Sequence, residues 1–290
     1  MARALVAATA AVSLLIGCTD PLALDDGSTL ERARREGSIR IGFADEAPFA
    51  YLDTQRNRVT GEAPEVARVV LRRLGIRKVE GVLTEFGSLI PGLQAGRFDL
   101  IAAGMYILPR RCKRIAFSNP TYAVGQALIV RRGNPLGLHG YEDVARHPQA
   151  KLGVVAGAAE REYARALGIP DERIVVFPSA ANALAGVEAG RVHAYAATAL
   201  TVRDLLSKTQ VGNTWVERAR PFRQPVINGK PVIGYGGFGF RQSDQDLIEA
   251  FNRELDAFIG TEEHLRLIAR FGFTEAELPG KVAAEALCRG

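Results

Sequence analysis

The feature that most constrains the fold of this chain is an alternation of strand and helix patterns that starts afresh near its middle. Apolar residues alternate over 39–43, recur at helical spacing over 66–74 and dominate 98–103. These patterns predict a strand, an amphipathic helix with Pro64 at its first position and Gly75 at its end, and a buried strand. Such an alternation favours an α/β fold with a largely parallel sheet.

The alternation repeats in the second half of the chain. Further strands are predicted at 152–155, 174–177 and 192–197, with helices between them. Two helices over 247–258 and 262–270 follow near the C-terminus. A chain of 290 residues is also longer than one domain of about 150 residues needs. We therefore expect two α/β lobes.

The chain is predicted to pass from one lobe to the other twice, near residues 121–126 and 231–236. The expected division is 29–125 with 232–275 for lobe 1, 126–231 for lobe 2 and 276–290 for a C-terminal tail. In open α/β lobes, ligands bind in the crevice outside the carboxyl ends of the strands. A ligand site is therefore expected between the lobes.

The N-terminus has the pattern of an export signal. Arg3 precedes an apolar stretch from Ala4 to Ile16, which is too short for a comfortable transmembrane helix. The stretch ends in Leu15-Ile16-Gly17-Cys18, which resembles a bacterial lipobox; the alternative is a plain signal peptide with a chance cysteine. We expect a signal peptide over 1–17, lipidation at Cys18 and a polar tether over 18–28. The protein would then act in the periplasm or on the outer face of the cell membrane.

Composition excludes several classes of protein. The hydrophobic fraction of 47% and the charged fraction of 24% are those of a globular chain rather than a disordered one. The 37 basic and 32 acidic residues are interspersed without a basic tract, which argues against binding to nucleic acid. Three cysteines and four scattered histidines show no zinc spacing, so no metal and no cofactor are expected.

A series of short motifs gives the sequence a specific resemblance. The motifs, in order, are Glu62-Ala63-Pro64-Glu65, Phe86-Gly87-Ser88-Leu89-Ile90-Pro91-Gly92-Leu93, Gly96-Arg97-Phe98-Asp99, Gly104-Met105-Tyr106-Ile107-Leu108-Pro109-Arg110-Arg111 and Ile115-Ala116-Phe117-Ser118-Asn119-Pro120-Thr121-Tyr122. Over about residues 36–275 the chain resembles the extracellular solute-binding proteins of polar amino-acid ABC transporters. The resemblance implies the two-lobed, type II fold of periplasmic binding proteins, with two hinge strands and a ligand trapped when the lobes close. It also implies a monomer that delivers its solute to the permease subunits of the transporter.

Arg111 matches the arginine that grips the ligand carboxylate in this family. A guanidinium is a planar fork that meets both carboxylate oxygens at once. The alternative is a surface salt bridge, for which Arg110 or Arg114 would serve equally well. The family usually has an acidic residue where Arg110 stands, and this departure is expected to affect the surface only.

Two departures from the family concern the second lobe. Thr198 stands where relatives that bind α-amino acids have an aspartate for the ligand ammonium. A compact ammonium would lose its counter-ion there, and a buried unpaired charge costs several kcal/mol. Ala159 stands near a hydroxyl residue of the family, although backbone N–H groups at that helix start can still hold an anion.

Aromatic residues occupy three positions that line the cleft in this family, namely Phe49, Phe86 and Tyr106. Their π faces attract a delocalised cation by roughly 0.5–2 kcal/mol each, although ordinary core aromatics are the alternative interpretation. With Glu46 and Arg111 the set resembles the ectoine- and hydroxyectoine-binding branch, whose ligand is a cyclic amidinium carboxylate. Glu46 is the only strong candidate for a cleft carboxylate, the alternative being a surface acid.

The predicted function is the capture of a compatible solute, ectoine or hydroxyectoine, by a binding lipoprotein of an ABC importer. A binding protein for a polar or basic amino acid is the alternative. A dehydratase-type enzyme on the same fold is less favoured, because no paired acid and base or nucleophile occurs at a recognisable spacing. A sensory ectodomain is disfavoured because the sequence has no second membrane segment or signalling domain.

Two cysteines, Cys112 and Cys288, remain once Cys18 is assigned to lipidation. An even number of cysteines in an oxidising compartment suggests that they pair. Such a disulfide would tie the C-terminal tail to lobe 1 beside Arg111, and two free thiols are the alternative.

Overall fold

The computed structural model describes residues 27–209 and 215–289. The elements of the first stretch are α1 (Thr29–Glu36), β1 (Ser38–Phe43), β2 (Tyr51–Asp53), β3 (Arg58–Thr60), α2 (Glu62–Arg73), β4 (Lys78–Leu83), α3 (Leu89–Gln94), β5 (Leu100–Tyr106), α4 (Pro109–Cys112), β6 (Ala116–Phe117) and β7 (Tyr122–Val124). A single 3-10 turn over Phe86–Ser88 leads into α3.

The middle of the chain alternates strands and helices again. Its elements are β8 (Gln126–Arg131), α5 (Tyr141–Arg146), β9 (Leu152–Val155), α6 (Glu160–Ala166), β10 (Ile174–Phe177), α7 (Ala180–Glu188), β11 (Ala194–Thr198), α8 (Ala199–Thr209) and β12 (Val216–Arg218). The remaining elements are the hairpin β13 (Val226–Ile227) and β14 (Lys230–Pro231), followed by β15 (Gly234–Phe240), α9 (Gln245–Asp256), α10 (Glu262–Ala269) and α11 (Ala284–Arg289).

Two mixed sheets organise these elements into two lobes. The first sheet has the order β4-β1-β5-β15-β6, and β7 also pairs with β15. The second has the order β10-β9-β11-β8-β12. Within each sheet the strands of the βα units are parallel, whereas β15 and β8 run antiparallel to their neighbours. The structure confirms the two-lobed α/β fold, and the antiparallel strands are those that carry the chain between the lobes.

Helix α2 shows how the sequence sets an element of the first lobe. Its buried face packs into the lobe core, and the helix stops before Gly75, which has a left-handed φ of 91°. The prediction that Pro64 is its first residue is wrong, because the helix begins two residues earlier at Glu62. Gly61 precedes it at a φ of 123°, where an added Cβ would lie 2.5 Å from the carbonyl oxygen of Phe49. Glycine is therefore needed at this tight entry.

The chain passes from the first sheet to the second between Val124 and Gln126, and it returns through the β13–β14 hairpin to Gly234. Gln224 connects the two passages: its Oε1 accepts the N–H of Gln126 at 2.9 Å and its Nε2 donates to the carbonyl oxygen of Gln126 at 3.0 Å. These bonds hold the two connections side by side. The carboxyl ends of β1, β5, β9 and β11 consequently face the space between the lobes.

The C-terminal helix α11 lies against α4 of the first lobe. Cys112 and Cys288 are joined there by a disulfide bond across 176 residues of sequence, with their Cα atoms 5.7 Å apart. This is within the separation that a disulfide spans without moving the backbone. The bond thus anchors the end of the chain one residue away from Arg111.

None of the helices within 27–209 and 215–289 combines the length and the apolar character that a transmembrane span requires. The signal peptide, the lipidation site at Cys18 and most of the predicted tether lie outside the described residues.

Candidate ligand-binding site

A narrow pocket lies between the lobes at the carboxyl ends of the strands. Its lining residues are Glu46, Phe49, Phe86, Ala103, Gly104, Tyr106 and Arg111 from the first lobe and Ala158, Ala159, Glu160 and Thr198 from the second. The pocket therefore brings together all seven residues that the sequence suggested as ligand contacts. It adds Ala103, Gly104, Ala158 and Glu160, which the sequence analysis did not propose.

Arg111 is the cation of the pocket and is only 2% exposed. Its Nη1 donates to the carbonyl oxygen of Tyr106 at 2.8 Å, and its Nη2 donates to that of Gly157 in the second lobe at 2.9 Å. Burial lowers the pKa of Arg111 to about 10, so the side chain stays charged at neutral pH. Of its five N–H groups, two are used in these bonds, and the others can meet a carboxylate side-on.

Arg110, by contrast, points away from the pocket to its edge. It forms an ion pair with Glu162 of α6, so it connects the two lobes. Arg110 and Glu162 are both exposed, so this departure from the family lies at the surface, where it spans the edge of the cleft. Because both side chains are more than a third exposed, the pair contributes only about 0–1 kcal/mol.

Glu46 follows β1 and turns its carboxylate towards the second lobe. Oε1 accepts a hydrogen bond of 2.9 Å from Thr201 Oγ1, at the start of α8. Burial raises the pKa of Glu46, and the hydrogen bond from Thr201 offsets part of that rise. Glu46 is therefore a carboxylate of the cleft rather than of the outer surface.

The side chain of Thr198 is neutral and supplies no charge to the pocket. Its Oγ1 accepts the backbone N–H of Thr201 at 2.9 Å and lies 3.0 Å from the Thr201 hydroxyl. Thr198 thus caps the start of α8 and aligns Thr201 with Glu46. Sequence reasoning did not propose Thr201 as a site residue, because its contact with Glu46 crosses the cleft.

Two of the three aromatic residues serve both the pocket and the core. Phe49 is 2% exposed and packs against Tyr122, with ring centres 4.9 Å apart. Tyr106 is also buried, and its hydroxyl accepts a hydrogen bond of 3.3 Å from Gln126 Nε2. Gly104, at a φ of 63°, makes room for Phe49, because a Cβ there would lie 2.5 Å from the ring. Phe49 and Tyr106 therefore pack in the core of the first lobe and also line the pocket.

Phe86 differs from the other two because it lies between the lobes. Its ring packs against apolar clusters of both lobes and is partly exposed. The guanidinium carbon of Arg111 lies 5.5 Å from the ring centre, which is within cation–π range. Phe86 thus forms a wall of the pocket next to its cation.

Glu160 is a second acid of the pocket and is 5% exposed, so the expectation that Glu46 is the only strong candidate for a cleft carboxylate is wrong. It is the first residue of α6, following Gly157-Ala158-Ala159. Burial is the main cause that raises the pKa of Glu160 to about 7. The sequence did contain a signal, since the residue directly follows the segment expected to meet the ligand.

The two lobes are in close contact beside the pocket. Gly157 of the second lobe has a φ of 76°, and a Cβ added to it would lie 2.8 Å from the Cα of Gly87 in the first lobe. Only glycine allows this approach of the two backbones. Together with the bonds of Arg111 and Glu46 to the opposite lobe, this contact shows that the lobes are closed on each other.

Comparison with known proteins agrees with this geometry. The family of bacterial extracellular solute-binding proteins, family 3, matches residues 39–274. The chain belongs to this family. It is accordingly a solute-binding protein of an ABC importer and not an enzyme.

Individual relatives of this solute-binding protein differ in their ligands. The probable amino-acid ABC transporter periplasmic-binding protein y4tE of Sinorhizobium fredii (strain NGR234) is 42% identical over 258 residues, covering 88% of this chain and 82% of the relative. The lysine/arginine/ornithine-binding periplasmic protein of Escherichia coli is 27% identical over 251 residues, covering 84% and 88% of the two chains. The crystal structure of EhuB in complex with hydroxyectoine is 35% identical with a TM-score of 0.80, covering 90% of this chain and 97% of EhuB.

Proposed function

We propose that this solute-binding protein captures ectoine or hydroxyectoine for an ABC importer. The solute has one carboxylate and one delocalised cation. Arg111 would bind the carboxylate, Glu46 would accept N–H groups of the cationic ring, and Phe49, Phe86 and Tyr106 would face it. Ala159 would contribute its backbone N–H to the carboxylate, and Thr198 would contribute shape without charge.

The observation that carries this proposal is the composition of one small pocket. The buried guanidinium of Arg111, the partly buried carboxylate of Glu46 and three aromatic rings line the same narrow space between the lobes. Aromatic faces suit a weakly hydrated cation whose charge is spread over a ring. The 35% identity to a protein solved with hydroxyectoine supports the same choice of solute.

A polar or basic amino acid is the second candidate. It is favoured by the 42% identity to a probable amino-acid binding protein and by Glu160, which gives the second lobe an acid despite the neutral Thr198. The two candidates differ in the cation, which is a compact ammonium in an amino acid and a planar amidinium in ectoine.

Calorimetric titration of the protein from residue 18 onward distinguishes the candidates. Ectoine, hydroxyectoine, L-glutamine and L-arginine would each be titrated under identical conditions. We expect micromolar or tighter binding of the ectoines and at least tenfold weaker binding of both amino acids. Micromolar binding of glutamine or arginine, with no heat from the ectoines, would reject the proposed solute.

The proposal includes capture by lobe closure and attachment to the membrane. The passages at 124–126 and 231–234 would act as hinges between lobe 1 (29–125 and 232–275) and lobe 2 (126–231), and a single copy would deliver the solute to the permease.

Cleavage before Cys18 and lipidation of its thiol would hold the protein at the periplasmic or outer face of a membrane. Mass spectrometry of the mature native protein tests this, and an unmodified Cys18 would refute it.

A further inference from the structure

Glu46 and Glu160 reach the same pocket from opposite lobes. Glu46 follows β1 of the first lobe, and Glu160 begins α6 of the second lobe. Both line the pocket that also contains Arg111. The pocket therefore contains one arginine and two acidic residues, and each lobe supplies one of the acids.

Glu160 has little compensation for its charge within the protein. The residue is 5% exposed, and no described residue of 27–209 or 215–289 forms an ion pair with it. Its carboxylate is stabilised by its own backbone N–H and, at longer range, by the charge of Arg111. The buried Glu65 contrasts with it, because Arg58 and Arg68 lie 3.1 and 2.8 Å from its Oε1.

Burial and then the neighbouring charge of Glu46 raise the pKa of Glu160 to about 7. Loss of hydration is the larger of the two causes, and the carboxylate of Glu46 adds to it. A buried acid in this condition costs the protein free energy that a bound cation would recover.

We propose that Glu160 is a ligand contact, and that the cation of the solute lies between Glu160 and Glu46 and neutralises an acid of each lobe. The proposal rests on the proposed function, since it assigns a further contact in the same pocket. Without a cation, repulsion between the two carboxylates opposes closure of the lobes. A cation between them turns this repulsion into attraction, so that binding of the right solute favours the closed state.

The proposal defines a class of solute. The solute carries one carboxylate for Arg111 and a cationic group that offers N–H donors in two directions, one towards each acid. An amidinium, a guanidinium and an ammonium meet this condition. A quaternary ammonium has the charge but no N–H to donate, so glycine betaine is expected to bind more weakly than ectoine.

The test compares two substitutions in the first turn of the same helix, Glu160→Gln and Glu162→Gln. Both remove one negative charge from the start of α6, but Glu162 pairs with Arg110 at the edge of the cleft. Each variant and the wild type would be titrated at pH 8 with ectoine and with L-arginine. For whichever of these solutes the wild type binds, we expect Glu160→Gln to lose about tenfold or more in affinity. Glu162→Gln should change affinity by less than about threefold.

Thermal unfolding without added solute separates a ligand contact from a structural role. At pH 8, Glu160→Gln should melt no lower than the wild type, because it removes a poorly compensated buried charge. Glu160→Asp, which keeps the charge on a shorter side chain, should retain more affinity than Glu160→Gln. Wild-type affinity in Glu160→Gln, or an equal loss of affinity in Glu160→Asp and Glu160→Gln, would overturn the proposal. So would a fall in melting temperature at pH 8 that accompanies the lost affinity.

The outcome also distinguishes this inference from the proposed function. If the wild type binds L-arginine and not ectoine, the proposed solute is wrong. The role of Glu160 is still tested in that case, by the affinity of the variants for L-arginine. If ectoine binds and Glu160→Gln has no effect, the proposed solute stands and the role of Glu160 is rejected.

Discussion

Arg111 of the first lobe donates a hydrogen bond of 2.9 Å from Nη2 to the carbonyl oxygen of Gly157 in the second lobe. On the other side of the pocket, Thr201 of the second lobe donates a bond of 2.9 Å to Glu46 of the first. The two side chains to which we assign the charges of the solute thus also form hydrogen bonds between the lobes. Ligand capture and closure therefore depend on the same groups.

Removal of the guanidinium should abolish tight binding. Arg111→Ala strips a charge-assisted contact from a closed pocket, which we expect to weaken affinity by about 100-fold or more. Arg110→Ala is the matched control, because it removes an adjacent arginine of the same helix whose partner is the exposed Glu162. It should change affinity by less than about fivefold. Calorimetry on both variants checks the prediction, and an Arg111→Ala protein that still binds within threefold of the wild type contradicts it.

The ring of Phe86 should matter more than the hydroxyl of Tyr106. Phe86→Ala loses packing against both lobes and a π face beside the pocket, and we expect a loss of about tenfold in affinity. Tyr106→Phe keeps the ring and gives up only a long hydrogen bond of 3.3 Å from Gln126, so its effect should be small. Calorimetry that finds the reverse order would show that Phe86 does not face the solute. Neither change should reach the effect of Arg111→Ala.

The contact between Gly157 and Gly87 should make closure sensitive to a single methyl group. In Gly157→Ala the new Cβ would lie 2.8 Å from the Cα of Gly87, so the closed state is disfavoured and affinity falls. Gly168→Ala is the control, since Gly168 has a similar φ of 85° but nothing within 4 Å of the added Cβ. Both changes should cost about 1 kcal/mol of stability through the left-handed backbone. Equal affinities of the two variants would contradict closure through this contact.

Glu62 should make the stability of the protein depend on pH. Both of its carboxylate oxygens are buried without a hydrogen-bond partner among the described residues. Burial raises the pKa of Glu62 to about 7. The acid is easier to ionise in the unfolded chain. The contribution of protonated Glu62 to the free energy of unfolding is therefore fully present below pH 4.5 and is lost as pH rises to about 7. The loss amounts to about 3 kcal/mol.

The measurement compares urea unfolding of Glu62→Gln and wild type from pH 4.5 to pH 8. The free energy of unfolding of Glu62→Gln should rise relative to that of the wild type as pH rises, because the amide of the variant does not ionise. Glu249→Gln, on the exposed face of α9, controls for the loss of one charge. A difference between Glu62→Gln and wild type that stays constant over this range would refute the assignment.

Much of the fold follows from local patterns in the sequence. The alternation over 39–43 becomes β1, and the apolar runs at 152–155 and 174–177 become β9 and β10 with the predicted bounds. These segments are buried inside a sheet, where the apolar pattern determines the structure. The start of α2 could not be predicted in the same way, because the close approach of Gly61 to Phe49 is a tertiary contact.

The candidate site shows the same limit. Arg111, Glu46 and the aromatic residues were expected from motifs, and they all line the pocket. Glu160 was missed although it directly follows the segment expected to meet the ligand, and the pairing of Arg110 with Glu162 was missed because it depends on how α6 of one lobe meets the other lobe. Contacts across a cleft leave no periodic signal in the sequence.

A crystal structure of the protein grown with ectoine tests the central claim most directly. We predict the ectoine carboxylate within about 3 Å of the Arg111 guanidinium, with its ring facing Phe86 and its N–H groups directed at Glu46. Ectoine bound elsewhere, or bound in the pocket with its carboxylate turned away from Arg111, would contradict the account.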